Sequence, residues 1–538
     1  MTSFLQAFLD RVQTLPSAPA VSHPLASRRL TSNAELLELT QAFAASLSRL
    51  TPPGAFVPIY ANKSAESIAC SLACVATGRP FAWLNKRLRA PQIAEVVAAG
   101  GGQFIVADAP GLTVLGSAVA DGLGLSGFRW LGLADTTPAA NDAALVRVIQ
   151  QVSGIASVET LQSSRPRQHA SMSSMGPDEW ACCLFTSGST GRQKGVMISA
   201  GDLTRRAQTE AEWFGLDSRD RLLSILPFSF DVGLNQLMSA LMAGACLVIQ
   251  ESWLPKDWIL TMVKERITGI SGVPAIWRDL LAARSRLNLQ EAGQSLRYIT
   301  ISGGSLSLSE QTRLQTIAKG VDIFKTYGQT ETFRSASLRP EDIAARGGSV
   351  GRAYPGTRVL ILDDALRPCP PGEVGEVVHV GAGTMMGYLG EESSGQKLRL
   401  LPDALGGSLA VFTGDYGYLD AANYLFLKGR RDNMVKIAGH RVYPEEAADQ
   451  LRALPAVREA EVIAIPTEAG EFQLVAFVVA DGQTSSTASV RRAVAERVPA
   501  HMVPAQIVFQ PAIPRLSNGK PDYKGLTASR YGTPESAE

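Results

Sequence analysis

Between Leu184 and Met197 the chain reads Leu-Phe-Thr-Ser-Gly-Ser-Thr-Gly-Arg-Gln-Lys-Gly-Val-Met. Three glycines (Gly188, Gly191, Gly195) and four hydroxyl residues (Thr186, Ser187, Ser189, Thr190) surround one lysine, Lys194. Glycines let a backbone turn tightly with its N–H groups aimed inward, and hydroxyls add donors, so the loop suits a polyphosphate. It is not the common P-loop, which sets a glycine before its lysine, Ser or Thr after it, and a helix next. Here Gln193 precedes Lys194 and Gly195 follows it. A flexible Gly/Ser hairpin has the same composition, so the loop alone leaves both readings open.

The elements around it narrow the choice. Trp180-Ala-Cys-Cys-Leu-Phe185 is an apolar run that reads as a buried strand, and Gly195-Val-Met-Ile-Ser199 reads as a second. Upstream, residues 4–13 and 33–48 carry helical apolar spacing, the second after the capping cluster Thr31-Ser-Asn33. Phe56–Tyr60 and Gln103–Asp108 read as strands around an Ala-rich helix, 64–77. Downstream, helices at 200–215 and 232–243 alternate with strands at 222–226, 246–249, 299–304 and 324–326. Such alternation predicts a layered α/β fold whose strand carboxyl ends face the site. From about 350 the texture shifts to short strands and Gly/Pro turns, a small β-rich subdomain. After Gly429-Arg-Arg-Asp432 a compact α+β segment follows, with a helix opening at Pro444, strands near 460–480 and a helix at 488–497. Residues 157–178 read as a polar surface linker, and 527–538 as a disordered tail.

Composition sets outer bounds. With 51 basic and 50 acidic residues, nothing forms an electrostatic footprint for nucleic acid. The 45% hydrophobic content is that of a globular enzyme, and no apolar run approaches the roughly 20 residues of a membrane span. Met1–Asp10 has an acidic residue and no basic stretch, unlike a signal peptide. Six cysteines lack a CxxC pair and sit mostly in apolar runs, as buried thiols of a cytoplasmic protein would. Five scattered histidines argue against a metal cluster.

Four further motifs follow the loop: Tyr327-Gly-Gln-Thr-Glu-Thr332, Phe412-Thr-Gly-Asp-Tyr-Gly-Tyr418, Gly429-Arg-Arg-Asp-Asn-Met-Val-Lys-Ile-Ala-Gly-His-Arg441 and Leu516-Ser-Asn-Gly-Lys520. In type and order the five resemble the signatures of the adenylate-forming enzymes: acyl-CoA synthetases, adenylation domains of nonribosomal peptide synthetases, and firefly luciferase. The resemblance spans almost the whole chain. It implies a large N-terminal domain, 1–431, of layered α/β subdomains, with the β-rich subdomain at about 350–431. A small mobile α+β C-terminal domain, 432–526, would complete it.

The implied reaction is attack of a carboxylate on the α-phosphate of ATP, giving acyl-AMP and pyrophosphate, with Mg²⁺ as cofactor. By resemblance, Thr186, Ser187, Gly188, Ser189, Thr190, Gly191 and Lys194 hold the departing phosphates. Glu331 is the Mg²⁺ ligand, Thr330 sits beside the α-phosphate, and Tyr327 lies against adenine with Gly304 and Gly328 nearby. Asp415 accepts the ribose hydroxyls and Arg430 adds a second contact. Lys520, on a mobile loop, would bridge the substrate carboxylate and the α-phosphate. Asp432 falls at the family's hinge. Lys436, Gly439 and Arg441 fall on the face presented in a second, thioester-forming pose.

For the acid, the matching positions are Phe230, Asp231, Val232, Asn235, Gly272, Ile301, Gly303, Thr326, Arg334 and Ser335. CoA ligases typically place a histidine where Phe230 stands, whereas amino-acid adenylation domains have Phe-Asp. Asp231 therefore favours a substrate α-ammonium, since a carboxylate in an apolar pocket needs a cation. Asp231 as a helix cap is the alternative. Arg334 is a departure: it introduces a cation that could pair with Asp231 or with an acidic substrate. Asn235 stands where an aromatic is usual. With no carrier or condensation domain flanking these motifs, the expectation is a freestanding enzyme that loads an amino acid onto a carrier-protein phosphopantetheine. An acyl-CoA ligase using CoA is the alternative, and a catalytically silent nucleotide-binding relative is a third reading.

Overall fold

The computed structural model describes residues 3–24, 30–120, 129–133, 158–161, 175–187, 193–282, 293–304, 306, 308–317, 320–390, 397–437, 440–467, 472–480, 486–516 and 521–530. Helices begin where the chain supplies acceptors for their unpaired N–H groups. Ser32 and Glu35 cap helix Asn33–Leu50 reciprocally, and Ser64 with Ser67 does the same for Ala65–Ala76. Proline opens helices Pro255–Glu265 and Pro444–Arg452, where its missing N–H costs nothing.

Among the described residues, a nine-stranded sheet runs from edge strand Arg352–Ala353 through Ala336–Leu338, Asp322–Tyr327, Tyr298–Ser302, Gly269–Gly272, Arg221–Ser224, Cys246–Ile249 and Pro19–Ser22 to Leu30–Ser32. The pairings from Asp322–Tyr327 to Pro19–Ser22 are parallel. Their strands are buried along nearly their whole length, as parallel strands covered on both faces must be. An eight-stranded sheet carries Gln193–Ser199 and Trp180–Ser187 towards one edge, with Gly387–Tyr388 outermost. Helices Asn33–Leu50, Ala65–Ala76 and Asp231–Ala243 contribute to a core shared by strands of both sheets. The two sheets are therefore one packed body.

A five-stranded antiparallel sheet follows: Thr357–Leu362, Gly375–Gly381, Leu409–Leu419 and Leu398–Leu400, with Leu425–Arg430 paired on Leu409–Leu419. This is the expected β-rich unit. After it, helix Pro444–Arg452 and strands Val457–Pro466, Phe472–Ala480 and Gln506–Phe509 enclose a core drawn from residues 442–507. That core takes nothing from the preceding sheets, which fits a separate C-terminal unit. The connection Arg431–Asn433 is tied to this unit by Asn433, which donates to Glu445 (2.5 Å), and Lys428 bonds Glu446 at 2.6 Å.

Two expectations are corrected. Residues 158–161 form an edge strand paired with Arg129–Leu133, so the supposed linker contributes to the sheet. The alternation Val-Glu-Thr-Leu was masked by the polar residues around it. Helix Tyr523–Arg530 also runs into the supposed tail, because Leu526 is fully buried and Asp522 caps Gly525. Residues 531–538 lie outside the described ones. Among the described residues no helix is long and apolar enough to cross a membrane, and the six cysteines are free thiols.

His379 locks the β-rich sheet to the turn that follows it. Its Nε2 lies 2.9 Å from the Ala382 carbonyl and its Nδ1 3.1 Å from Ser335 Oγ. A carbonyl only accepts, so Nε2 carries a proton. Burial pushes its pKa down to about 4 from 6.5. Between those values the unfolded chain binds the proton and the folded one does not. The contribution is whole above about pH 6.5 and is lost as pH falls towards 4. Over that window it amounts to about 3 kcal/mol. In denaturant titrations at pH 7 and 4.5, His379→Gln should lose about 2–3 kcal/mol less on acidification than the wild type. Equal losses would place the acid sensitivity elsewhere.

Candidate active site

The strand pair Trp180–Ser187 and Gln193–Ser199 sets Thr186 opposite Lys194 and Ser187 opposite Gln193. The loop between them, with Gly188, Ser189, Thr190 and Gly191, lies outside the described residues. Gly195 is required by packing: a Cβ there would sit 2.8 Å from Cys183 Sγ and from the Phe185 ring. The half-buried Lys194 holds its Nζ 4.9 Å from the centre of the Tyr388 ring. Tyr388, paired in register with Val196, donates its O–H to Glu331 Oε1 at 2.7 Å. Lys194 and Glu331, 137 positions apart in the chain, thus meet at one phenol, the lysine over its ring and the carboxylate on its hydroxyl.

The segment after strand Asp322–Tyr327 turns sharply. Gln329 N–H donates to Thr332 Oγ1 (3.0 Å), and Ser335 N–H closes back on the Tyr327 carbonyl (2.8 Å). Gly328 cannot carry a side chain, since its Cβ would lie 1.7 Å from the Phe333 carbonyl. Phe333 itself sits at φ 58, a left-handed conformation that bulky residues rarely adopt. Strain of this kind clusters at functional sites.

Asp415, on strand Leu409–Leu419, gathers three donors. Tyr327 O–H and Gln329 Nε2 each reach Oδ2 at 2.7 Å, and Arg430 Nη1 reaches Oδ1 at 3.1 Å. Burial and the adjacent carboxylate raise the Tyr327 phenol well above its usual range, so it stays a donor. Lys397 Nζ donates to Gln329 Oε1 and to the Thr413 carbonyl, both at 2.9 Å. Burial lowers the Lys397 ammonium, while Glu331 works to keep it charged. Arg430 also lies 3.6 Å from the exposed Asp432. Lys436 is exposed opposite Arg441 in a two-stranded ribbon. Gly439 and Lys520 are outside the described residues.

A small cleft, partly open to solvent, lies at the carboxyl ends of the parallel strands. Of the residues expected around the acid, Phe230, Asp231, Val232, Gly303, Thr326 and Arg334 line it, together with Gly328 and Thr330. Ser302, Gln329 and Phe333 line it as well. Gly304 is next to Gly303, with its would-be Cβ 3.2 Å from Pro274.

Four expected residues turn elsewhere. The Trp277 indole fills the space beside Gly272. Ile301 is buried in the hydrophobic core. Ser335 is spent on Thr332 and His379. Asn235 donates to Glu210 Oε2 at 2.5 Å.

Arg334 pairs with Glu210: Nη2 and Nε reach Glu210 Oε2 at 2.7 and 3.0 Å, and Asp231 adds a weaker electrostatic contribution. Burial works against the Arg334 charge, but Glu210 holds its pKa above the usual value. Asp231 Oδ1 accepts from Val232 N–H at 2.9 Å, within the first turn of a helix whose cap position is Phe230. Sequence reading missed Glu210, Lys397 and Tyr388. Gln329 stood inside a motif that was already singled out.

Residues 8–389 match the AMP-binding enzyme family, and 446–520 match its C-terminal domain. An indoleacetate–CoA ligase of Aromatoleum aromaticum is 30% identical over 523 residues, covering 96% of each chain. A dimodular nonribosomal peptide synthase of Bacillus subtilis is 33% identical over 386 residues, 70% of this chain. The match spans only 16% of that synthase. The fold is that of ATP-bound MatB from Rhodopseudomonas palustris, with a TM-score of 0.81 over 99% of both chains at 23% identity.

Proposed function

The chain belongs to the AMP-binding enzyme family, and we propose that it activates a carboxylic acid with ATP as acyl-AMP and passes the acyl group to a thiol. The observation that carries this reading is the cleft itself. Acid-side residues, Asp231 and Gly303, share one cavity with Thr330, next in the chain to Glu331. ATP would lie with its ribose towards Asp415 and its phosphates towards Lys194 and the 188–191 loop. Mg²⁺ typically uses one or two carboxylates plus substrate phosphates. Glu331 fits that demand, and among the described residues no group of three or more His, Cys, Asp or Glu offers a protein cage instead. Bound there, the ion would draw charge from the phosphates. The chain's own residues do the rest. Tyr388 orients Glu331, Lys194 offsets the pyrophosphate charge, and Lys520 meets the charge that gathers between the carboxylate and the α-phosphate.

Asp231 supports an amino acid as the substrate, loaded onto a carrier-protein phosphopantetheine. The full-length similarity to an indoleacetate–CoA ligase supports the second reading, CoA as the acceptor of a plain acid. In either case Asp432 would be the hinge between residues 1–431 and 432–526, and Lys436, Gly439 and Arg441 would face the thiol.

Lys520→Ala should lower acid-dependent ATP–pyrophosphate exchange by about 10²–10³, the usual cost of one preorganised charge contact. Near-normal exchange would remove Lys520 from the chemistry.

Asp231 separates the two substrate classes. It is half-buried, so losing its cationic partner should cost less than in a fully buried pair, about 2–3 kcal/mol. Asp231→Ala should then lose roughly 30- to 150-fold in kcat/KM for an amino acid while sparing the matched acid without the amino group. Equal losses for both members of the pair would favour the CoA-ligase reading.

A further inference from the structure

Lys397, just before strand Leu398–Leu400, stands outside every motif of the sequence, yet its ammonium reaches two of them. Its Nζ donates at 2.9 Å to Gln329 Oε1, in the motif 327–332, and at 2.9 Å to the Thr413 carbonyl, in the motif 412–418. Gln329 passes the contact on. Its Nε2 donates to Asp415 Oδ2 at 2.7 Å and to the same Thr413 carbonyl at 2.9 Å. An amide has one accepting and one donating end, and an ammonium only donates. The relay therefore has one direction: ammonium to amide oxygen, amide N–H to carboxylate. Gln329 lines the cleft, and Lys397 is half-buried behind it, with Glu331 and Asp415 both favouring its charge.

We infer that Lys397 is a positioning residue for the ribose: acting through Gln329, it holds the Asp415 carboxylate at the angle from which that group accepts the ribose hydroxyls. This rests on the placement of ATP proposed above. A carboxylate turns about its Cβ–Cγ bond, and only fixed partners give its oxygens fixed directions. Tyr327, at the end of a buried strand, is one such partner, and Arg430 is another. Gln329 is the third, on the turn after that strand, and its long side chain stays ordered only while both ends are held. Without Lys397 the amide oxygen loses its charged donor, and the amide can leave the carboxylate for water. A lysine that served only as a cation for the phosphates would act on every adenine nucleoside triphosphate alike. A positioning role falls on the hydroxyls, so removing them from the nucleotide tells the two roles apart.

The test is acid-dependent pyrophosphate exchange by the full chain, run with ATP and with 2′,3′-dideoxy-ATP, which lacks both hydroxyls. The readout is the ratio of their kcat/KM values, with thermal melts reporting folding. The wild type should favour ATP by about 10²-fold. Lys397→Met should narrow that preference by about tenfold, while Lys397→Arg, which keeps the charge and the donors, should hold it within about threefold. Gln329→Leu should narrow it as Lys397→Met does. The double variant should narrow it no further than the larger single change, because the lysine acts through the amide. If Lys397→Met fails to melt cooperatively, Lys397→Gln, also without the charge, decides on the same ratio. An unchanged ratio in a folded, active variant, or additive narrowing in the double variant, would overturn the inference alone. A wild type that exchanges but treats the two nucleotides alike would overturn the placement of the ribose at Asp415. A wild type without exchange on any acid would overturn the adenylate-forming reading. The inference falls with either.

Discussion

The Asp415 carboxylate, 9% exposed, is the tie on which the candidate site depends. A carboxylate that is largely removed from water must be matched by donors. Here they come from Tyr327, Gln329 and Arg430, on a parallel strand of the large sheet, the turn after it, and a strand of the β-rich sheet. Meeting that demand fixes the β-rich sheet against the strand ends of the α/β body. It also holds the 328–334 turn in its strained shape, with Phe333 at φ 58. The same turn sets Thr330 on the cleft and Glu331 against Tyr388. Geometry around Glu331 and around Arg430 thus follows from one buried anion.

Charge is distributed unevenly around that anchor. Lys397, Arg430 and Lys194 stand near Asp415 and Glu331, an arrangement suited to holding a polyanion and its counter-ion. In the cleft lining, Arg334 is bound to Glu210, and Asp231 accepts from the Val232 N–H.

Much of this was legible in the chain because certain residues declare their role locally. Ser64 before an alanine-rich stretch marks a helix start, and the alternation of apolar strands with helices marks the layered sheets. Gly328 and Gly195 sit in motifs because no larger residue fits beside the Phe333 carbonyl or the Cys183 sulfur. Glu210 gave no such sign. It lies in Gln-Thr-Glu-Ala-Glu-Trp, where its neighbour Glu212 is solvated, and only partners 25 and 124 residues away distinguish the two. Tyr388 and Lys397 acquire their roles from partners 57 and 68 residues distant. Asn235, Gly272, Ile301 and Ser335 show the converse. Their sequence positions point to the pocket, but local packing by Glu210, Trp277, the core and His379 turns them elsewhere or fills the space beside them.

The central claim, that the nucleotide site built on Asp415 forms an acyl-adenylate, is tested most directly by ATP–pyrophosphate exchange across a panel of amino and plain carboxylic acids, in wild type and Asp415→Ala. The account predicts exchange that requires an added acid and falls by about 10²-fold or more in a variant that still melts cooperatively. Absence of exchange with every acid, or exchange indifferent to Asp415, would contradict it.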